Sequence, residues 1–200
     1  MVKILSTRNN DLQKLNSTLD SFIVYKTIPS LSSLLEEPVT HILRKTREIP
    51  IMNLDVIIQD LEETNAMSAV YIKCVGDIHM GVLLYLPEHE SKILAEKLLG
   101  KPISEEFVGL ATSSISEIGN ILTASLINAI SIGTGYKICS SVPGYAIEFF
   151  RTLLEAVVSD FENKSDSLIM STVELHGINS GLHVQILLIQ DPSEIKKLLI

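Results

Sequence analysis

The sequence predicts a single α/β (α+β) domain in which a mostly antiparallel central sheet is flanked by long helices. Three observations carry that expectation. First, two pairs of apolar runs each close on a glycine-containing turn, as β-hairpins do: residues 69–75 with 78–86 about Gly76-Asp77, and residues 168–175 with 182–190 across Gly177 to Gly181. Second, the two pairs end alike. Val82-Leu83-Leu84-Tyr85-Leu86 leads through Pro87-Glu88 into a helical stretch ending Leu98-Leu99, and Ile186-Leu187-Leu188-Ile189 leads through Asp191-Pro192 into one ending Leu198-Leu199. Third, a long helical pattern runs between the two. Together they predict an internal pseudo-two-fold repeat within one domain spanning 1–200, with halves of about 9–100 and 104–200.

The elements follow in order. After the first hairpin, Glu88 to Leu99 reads as a helix stopped by Gly100. Ser104 to Ile132 reads as the long helix: Pro102 and Ser104 precede it, Glu105 and Glu106 suit its positive first turn, and Gly133 and Gly135 end it. Tyr136 to Val142 is expected as a strand, Ile147 to Asn163 as a helix, and Pro192 to Ile200 as a short terminal helix.

Composition narrows the function classes. The chain has 200 residues, is 46% hydrophobic, and has no Trp and only 5% aromatic residues, so its core is aliphatic. The net charge of −8 leaves no clustered Lys and Arg for a phosphate backbone, which argues against nucleic acid; Arg44-Lys45-Arg47 is a short solvated patch. Cys74 and Cys139 stand far apart with no partner motif and read as buried free thiols of a reducing compartment. No leader-like apolar run follows Met1, so a cytoplasmic location is expected. Ile118 to Tyr136 is uncharged and approaches spanning length. It also holds Asn120, Asn128, Thr123, Ser125 and Ser131, which lipid would penalise, so no membrane insertion is expected. The five histidines, His41, His79, His89, His176 and His183, show no ligand spacing with each other or with cysteine, and no metal site is expected from them.

The long helix carries the most specific pattern. At about 100° per residue, Ala111, Ile115, Ile118, Leu122, Leu126 and Ala129 share one face, which is expected to meet the core. Opposite them, Ser113, Glu117, Asn120, Ala124, Asn128 and Ser131 fall within about 80°. That stripe has no Lys or Arg and uses poor helix formers, so it gives up helix propensity for something else.

Ser113, Glu117, Asn120 and Pro143, with Glu117-Ile118-Gly119-Asn120-Ile121 at the centre and Ser141-Val142-Pro143 at the end, resemble the signature of the CheC, CheX and FliY phosphatases of chemotaxis. That signature is Ser or Asp, three residues, Glu, two residues, Asn, twenty-two residues, Pro, and every interval is kept here. Four typed positions at fixed spacing would arise by chance in roughly one chain of this length in several hundred. The Gly76-Asp77 hairpin with Met80-Gly81-Val82-Leu83-Leu84 extends the likeness, which covers residues 39 to 200 and is closer to CheC than to FliY.

The resemblance implies a hydrolase of the aspartyl phosphate on a CheY-type response regulator. Asn120 would position an in-line water, and Glu117 would pair with the lysine of the regulator's active site. Ser113 and Pro143 would support these two without taking part in the chemistry. The chain would need no cofactor of its own, since Mg²⁺ would come with the regulator. The receptor deamidase CheD is a second partner that the resemblance admits. The alternative is a non-catalytic adaptor for CheD or for phosphorylated CheY.

The family commonly carries a second signature in its first helix, and here residues 9–35 depart from it. Gln13 and Asn16 keep the mutual spacing, but Gln replaces Glu and Pro38 comes one residue early. Anchoring on Val39 instead places Thr18 and Ser21 at those positions. Either way the acid is missing, and Pro29 would disturb a long helix. One working site, in the second half, is expected.

Overall fold

The computed structural model of the chain describes residues 2–44, 46–61, 66–103, 108–161 and 165–199. Helix α1 (Val2–Phe22) runs through one wide turn (Ile23–Thr27) into α2 (Ile28–Leu35); β1 (Val39–Leu43) and β2 (Arg47–Pro50) follow, then α3 (Asp55–Leu61). The first hairpin is β3 (Ala66–Gly76) and β4 (Met80–Pro87), capped by α4 (Glu88–Leu99). The order then repeats: α5 (Val108–Thr134), β5 (Ile138–Ser140), β6 (Gly144–Phe149), α6 (Phe150–Ser159), the hairpin β7 (Ser167–Gly177) and β8 (His183–Gln190), and α7 (Ile195–Leu198).

The strands form one antiparallel sheet in the order β1-β7-β8-β4-β3-β5, with β2 also beside β7 and β6 also beside β3. The two hairpins meet at the centre, where Leu83 pairs with Leu187 across β4 and β8. Each half thus supplies one hairpin and two short strands, and the short strands of each half edge the other half's hairpin. Because both central strands are covered on both faces, they read as unbroken apolar runs. On one face Val70, Ile72, Val82, Leu84, Val184 and Ile186 pack beneath α1, α2, α4, α5 and α7. On the other, Met67, Ala69, Leu83, Tyr85, Leu187 and Ile189 pack beneath α3 and α6.

Three expectations are corrected. Ile147 to Phe149 belongs to strand β6, and the following helix begins only at Phe150. The spacing Ile147, Phe150, Leu154 mimics a helix, but Tyr145-Ala146-Ile147-Glu148-Phe149 is rich in strand formers and pairs with β3. The other end proposed for that helix, Asn163, lies outside the described residues. The strand expected over 136–142 shrinks to Ile138–Ser140. At Ser141 the chain steps out of the ladder: Ser141 N–H donates to Lys73 O at 2.8 Å, and Lys73 N–H donates to Ser141 Oγ at 3.1 Å. Finally, Pro29 does not break the first helix. The turn before it widens, so that Ile28 N–H reaches Ile23 O instead of the carbonyl one residue nearer.

Helix α4 and its left-handed Gly100 stop match expectation, whereas the proposed start of the long helix at Ser104, Glu105 and Glu106 lies outside the described residues. By length and composition α5 could cross a membrane, yet half of its most apolar window is buried in the fold.

Glu37 fastens the first half to the second hairpin. Its carboxylate accepts from Lys97 Nζ at 3.2 Å, from the backbone N–H groups of Asn179 (2.9 Å) and Ser180 (2.8 Å), and from the Ser180 hydroxyl. The Ser180 hydroxyl foremost, with the other donors against the opposing effect of burial, holds its carboxyl below the usual carboxylate range.

Candidate functional site

Helix α5 buries Ile115, Ile118, Leu122, Leu126 and Ala129, the face its periodicity selects. Ser113, Glu117, Ala124 and Asn128 are exposed on the outer side, and Asn120 and Ser131 are half-buried. The absence of a side chain at Gly119 lets this stretch settle onto Val70 of β3. Asn120 is therefore the first residue outward from a tight helix–sheet contact, which fixes its height above the sheet.

Glu117 and Asn120, three residues apart, stand on neighbouring turns of one face. Neither side chain makes a hydrogen bond or ion pair among the described residues, whereas the Ser113 hydroxyl is occupied by the Gly109 carbonyl of its own helix at 2.9 Å. Beside Glu117 lies a shallow apolar hollow of about 300 Å³, walled by Leu34 of α2, Leu98 of α4, and Leu110, Ser113, Glu117 and Ile121 of α5. An unspent carboxylate and an unspent carboxamide beside an apolar hollow can receive a cationic group, a water and an apolar side chain from another molecule.

Pro143 is half-buried at the entrance to β6. Its counterpart in the first half explains why a residue without an N–H suits the position. Arg44 N–H donates to Thr172 O at 2.8 Å, as Ser141 N–H does to Lys73 O, so Thr46 stands where Pro143 stands. Thr46 N–H donates to Asn16 Oδ1 at 3.0 Å and its hydroxyl does so at 2.8 Å. In the second half Ser116 turns its hydroxyl to Thr112 O on its own helix, and Pro143 has no N–H left to satisfy.

The first half places none of its suggested pairs as α5 places Glu117 and Asn120. Asn16 is turned inward and held by Thr46. Gln13 and Ser21 are exposed and Thr18 is half-buried. The buried residues Leu15, Leu19, Phe22 and Ile23 fall in phase with Ile115, Gly119, Leu122 and Thr123, and the wide turn supplies the one-residue offset beyond. In that phase Ser17 and Asp20 face outward where Glu117 and Asn120 do, and Asp20 Oδ1 is engaged by His41 Nε2 at 2.8 Å.

One grouping is absent from the sequence reading. His176 and His183, seven positions apart, become registered partners across β7 and β8, beside Glu174. The expectation that the histidines form no cluster is thus corrected for these two. The signal was available: the hairpin turn was foreseen, and pairing outward from it brings residues 176 and 183 together.

No protein-family model matches the chain. Solved structures do, and they show the fold to be that of the CheC-like proteins. FliY of Thermotoga maritima superposes with a TM-score of 0.66 at 16% identity, covering 86% of each chain. A chain of the CheX–CheY–BeF3–Mg complex of Borrelia burgdorferi gives 0.52 at 13% identity, over 90% of this chain and 97% of that one. A chain of the FliM–SpeE complex of H. pylori gives 0.63 at 11% identity, over 95% and 92%.

Proposed function

We propose that this chain is a phosphatase for the aspartyl phosphate of a CheY-type response regulator in chemotaxis signalling, working through one site on α5. The observation that carries the reading is the pair Glu117 and Asn120, outward-facing on adjacent turns and bonded to nothing else among the described residues. The occurrence of the same fold in a CheX–CheY complex supports it.

An acyl phosphate has a good leaving group, so hydrolysis depends mainly on placing a water in line. The Asn120 carboxamide oxygen accepts from that water, whose oxygen attacks phosphorus. The bond from phosphorus to the aspartyl oxygen breaks, the aspartate leaves as carboxylate, and both protons of the water depart with inorganic phosphate as dihydrogen phosphate. No group of raised basicity is needed, which suits a site with no histidine. Glu117 takes the regulator's active-site lysine and sets the register of the two proteins. Any Mg²⁺ belongs to the regulator. In the first half, Asn16 is spent on Thr46 and Asp20 on His41, so only the second half works.

The test is regulator-phosphate decay under catalytic amounts of this chain, wild type against Asn120→Ala. The second reading is a non-catalytic adaptor binding CheD or phosphorylated CheY; the match to FliM from a complex with another protein favours it. Under that reading phosphate decay is unchanged by the chain, while the regulator is still bound.

A further inference from the structure

We propose that Glu174, His176 and His183 form a binding site for a divalent transition-metal ion on the face of the sheet opposite α5. Strand alternation puts Glu174 and His176 on one face of β7, and register puts His183 of β8 directly opposite His176. This is the face that carries Leu168, Met170, Leu187 and Ile189, but further toward the hairpin turn, beyond the last residues of that core cluster.

His176 Nε2 lies 3.7 Å and His183 Nε2 3.9 Å from Glu174 Oε2, and the three ligand atoms all lie within 4.8 Å of one another. Both ring nitrogens are buried and find no hydrogen-bond partner among the described residues. A buried polar atom left unbonded is disfavoured, and two of them facing one carboxylate oxygen call for a shared partner. The other carboxylate oxygen accepts from Arg44 Nε at 2.7 Å, which fixes the orientation of Glu174. His183 N–H donates to Glu90 Oε2 at 2.9 Å, which anchors the start of β8.

Two imidazoles and one carboxylate select zinc-like ions over Mg²⁺ or Ca²⁺. Metal–nitrogen and metal–oxygen bonds near 2 Å in a tetrahedral site imply ligand spacings of about 3.3 Å, so the two edges from Glu174 to the histidines, at 3.7 and 3.9 Å, close by roughly half an ångström. The rings are stacked with centroids 4.3 Å apart and planes 9° from parallel. They must rotate out of the stack for their lone pairs to converge. Water on the exposed side completes the coordination.

The charged and titratable groups around the site are Arg44 from the β1–β2 connection, Glu90 from α4, and Glu174 and His176 from β7. Burial, with His176 adding to it, holds His183 below the usual imidazole range. Arg44 opposes the incoming cation and keeps the affinity moderate.

The experiment is titration of the full chain with Zn²⁺ alone, by calorimetry and by competition with a chromophoric chelator. Wild type, His176→Gln, His183→Gln, the double variant and Cys139→Ser are compared, and the Co²⁺ absorption spectrum of the wild-type chain is recorded. The expected result is one Zn²⁺ per chain, bound at least tenfold more weakly by each single histidine variant and not measurably by the double. Cys139→Ser should bind normally, and the Co²⁺ spectrum should lack a thiolate band. No saturable one-to-one binding, unchanged binding in the double variant, or a thiolate band overturns the proposal; the wild-type readings decide it even if the variants misfold.

Discussion

Gly119 and Val70 are in such close approach that a β-carbon built on Gly119 would lie 2.6 Å from Val70 Cγ1. Gly119 precedes Asn120, so this contact sets how far the helix, and the carboxamide it carries, stands off the sheet. Gly119→Ala is expected to lower stability by about 1–3 kcal/mol through overpacking. Displacement of α5 should also slow phosphate hydrolysis. Gly109→Ala is the control, since nothing lies within 4 Å of a β-carbon there; it should be neutral or stabilising by up to about 1 kcal/mol. Denaturant melts of the two variants check both.

The first half should be silent in the chemistry. Gln13→Ala and Asp20→Ala are expected to leave regulator-phosphate decay within about twofold of wild type, well under the ~100-fold cost of misplacing a reacting group. Asp20→Ala removes the contact to His41 and should register only as a small loss of stability. A large loss of turnover in either variant would assign the first half a working site.

The two thiols should differ in reactivity. Cys139 is exposed on the short strand β5, which corrects its expected burial, while Cys74 is buried and its thiol is pushed up to about 12 by desolvation. Only the thiolate attacks. A chromogenic disulfide reagent should therefore titrate one thiol in the native chain and both in denaturant.

Glu37 makes a pH-dependent contribution. Its carboxyl lies below its ordinary value of 4.5 in the folded chain, with the Ser180 hydroxyl the largest cause. Its stabilisation is therefore fully present above that value and lost as pH falls through the lowered folded value. Glu37→Gln should melt below wild type at neutral pH, and the gap should close in acid. Thermal melts of both proteins across that range check the sign.

How much of this was legible depends on the burial of each element. The β3–β4 and β7–β8 hairpins were readable because both faces are covered and every residue from Val82 to Leu86 is apolar. Strands β1 and β2 were not, since Val39–Leu43 only alternates between half-buried and exposed and Arg47–Pro50 is four residues long. The last three residues of β6, Ile147 to Phe149, fall in the expected helix because an exposed edge strand need not alternate. The outward stripe of α5 was legible, being a matter of helical phase alone. The contacts of Asn16 with Thr46 and of Glu37 with Ser180 were not, because each depends on tertiary packing rather than local pattern, whereas His176 with His183 follows from the register of the β7–β8 hairpin.

The central claim turns on Asn120. The direct measurement is the decay of phosphate on a CheY-type regulator held in large excess over this chain, with wild type, Asn120→Ala and Glu117→Ala. Wild type should accelerate decay with multiple turnovers. Asn120→Ala should lose at least about 100-fold in rate while still binding the regulator, and Glu117→Ala should require far more regulator to reach half its maximal rate. Acceleration that survives intact in Asn120→Ala, or no acceleration by the wild-type chain, would contradict the account.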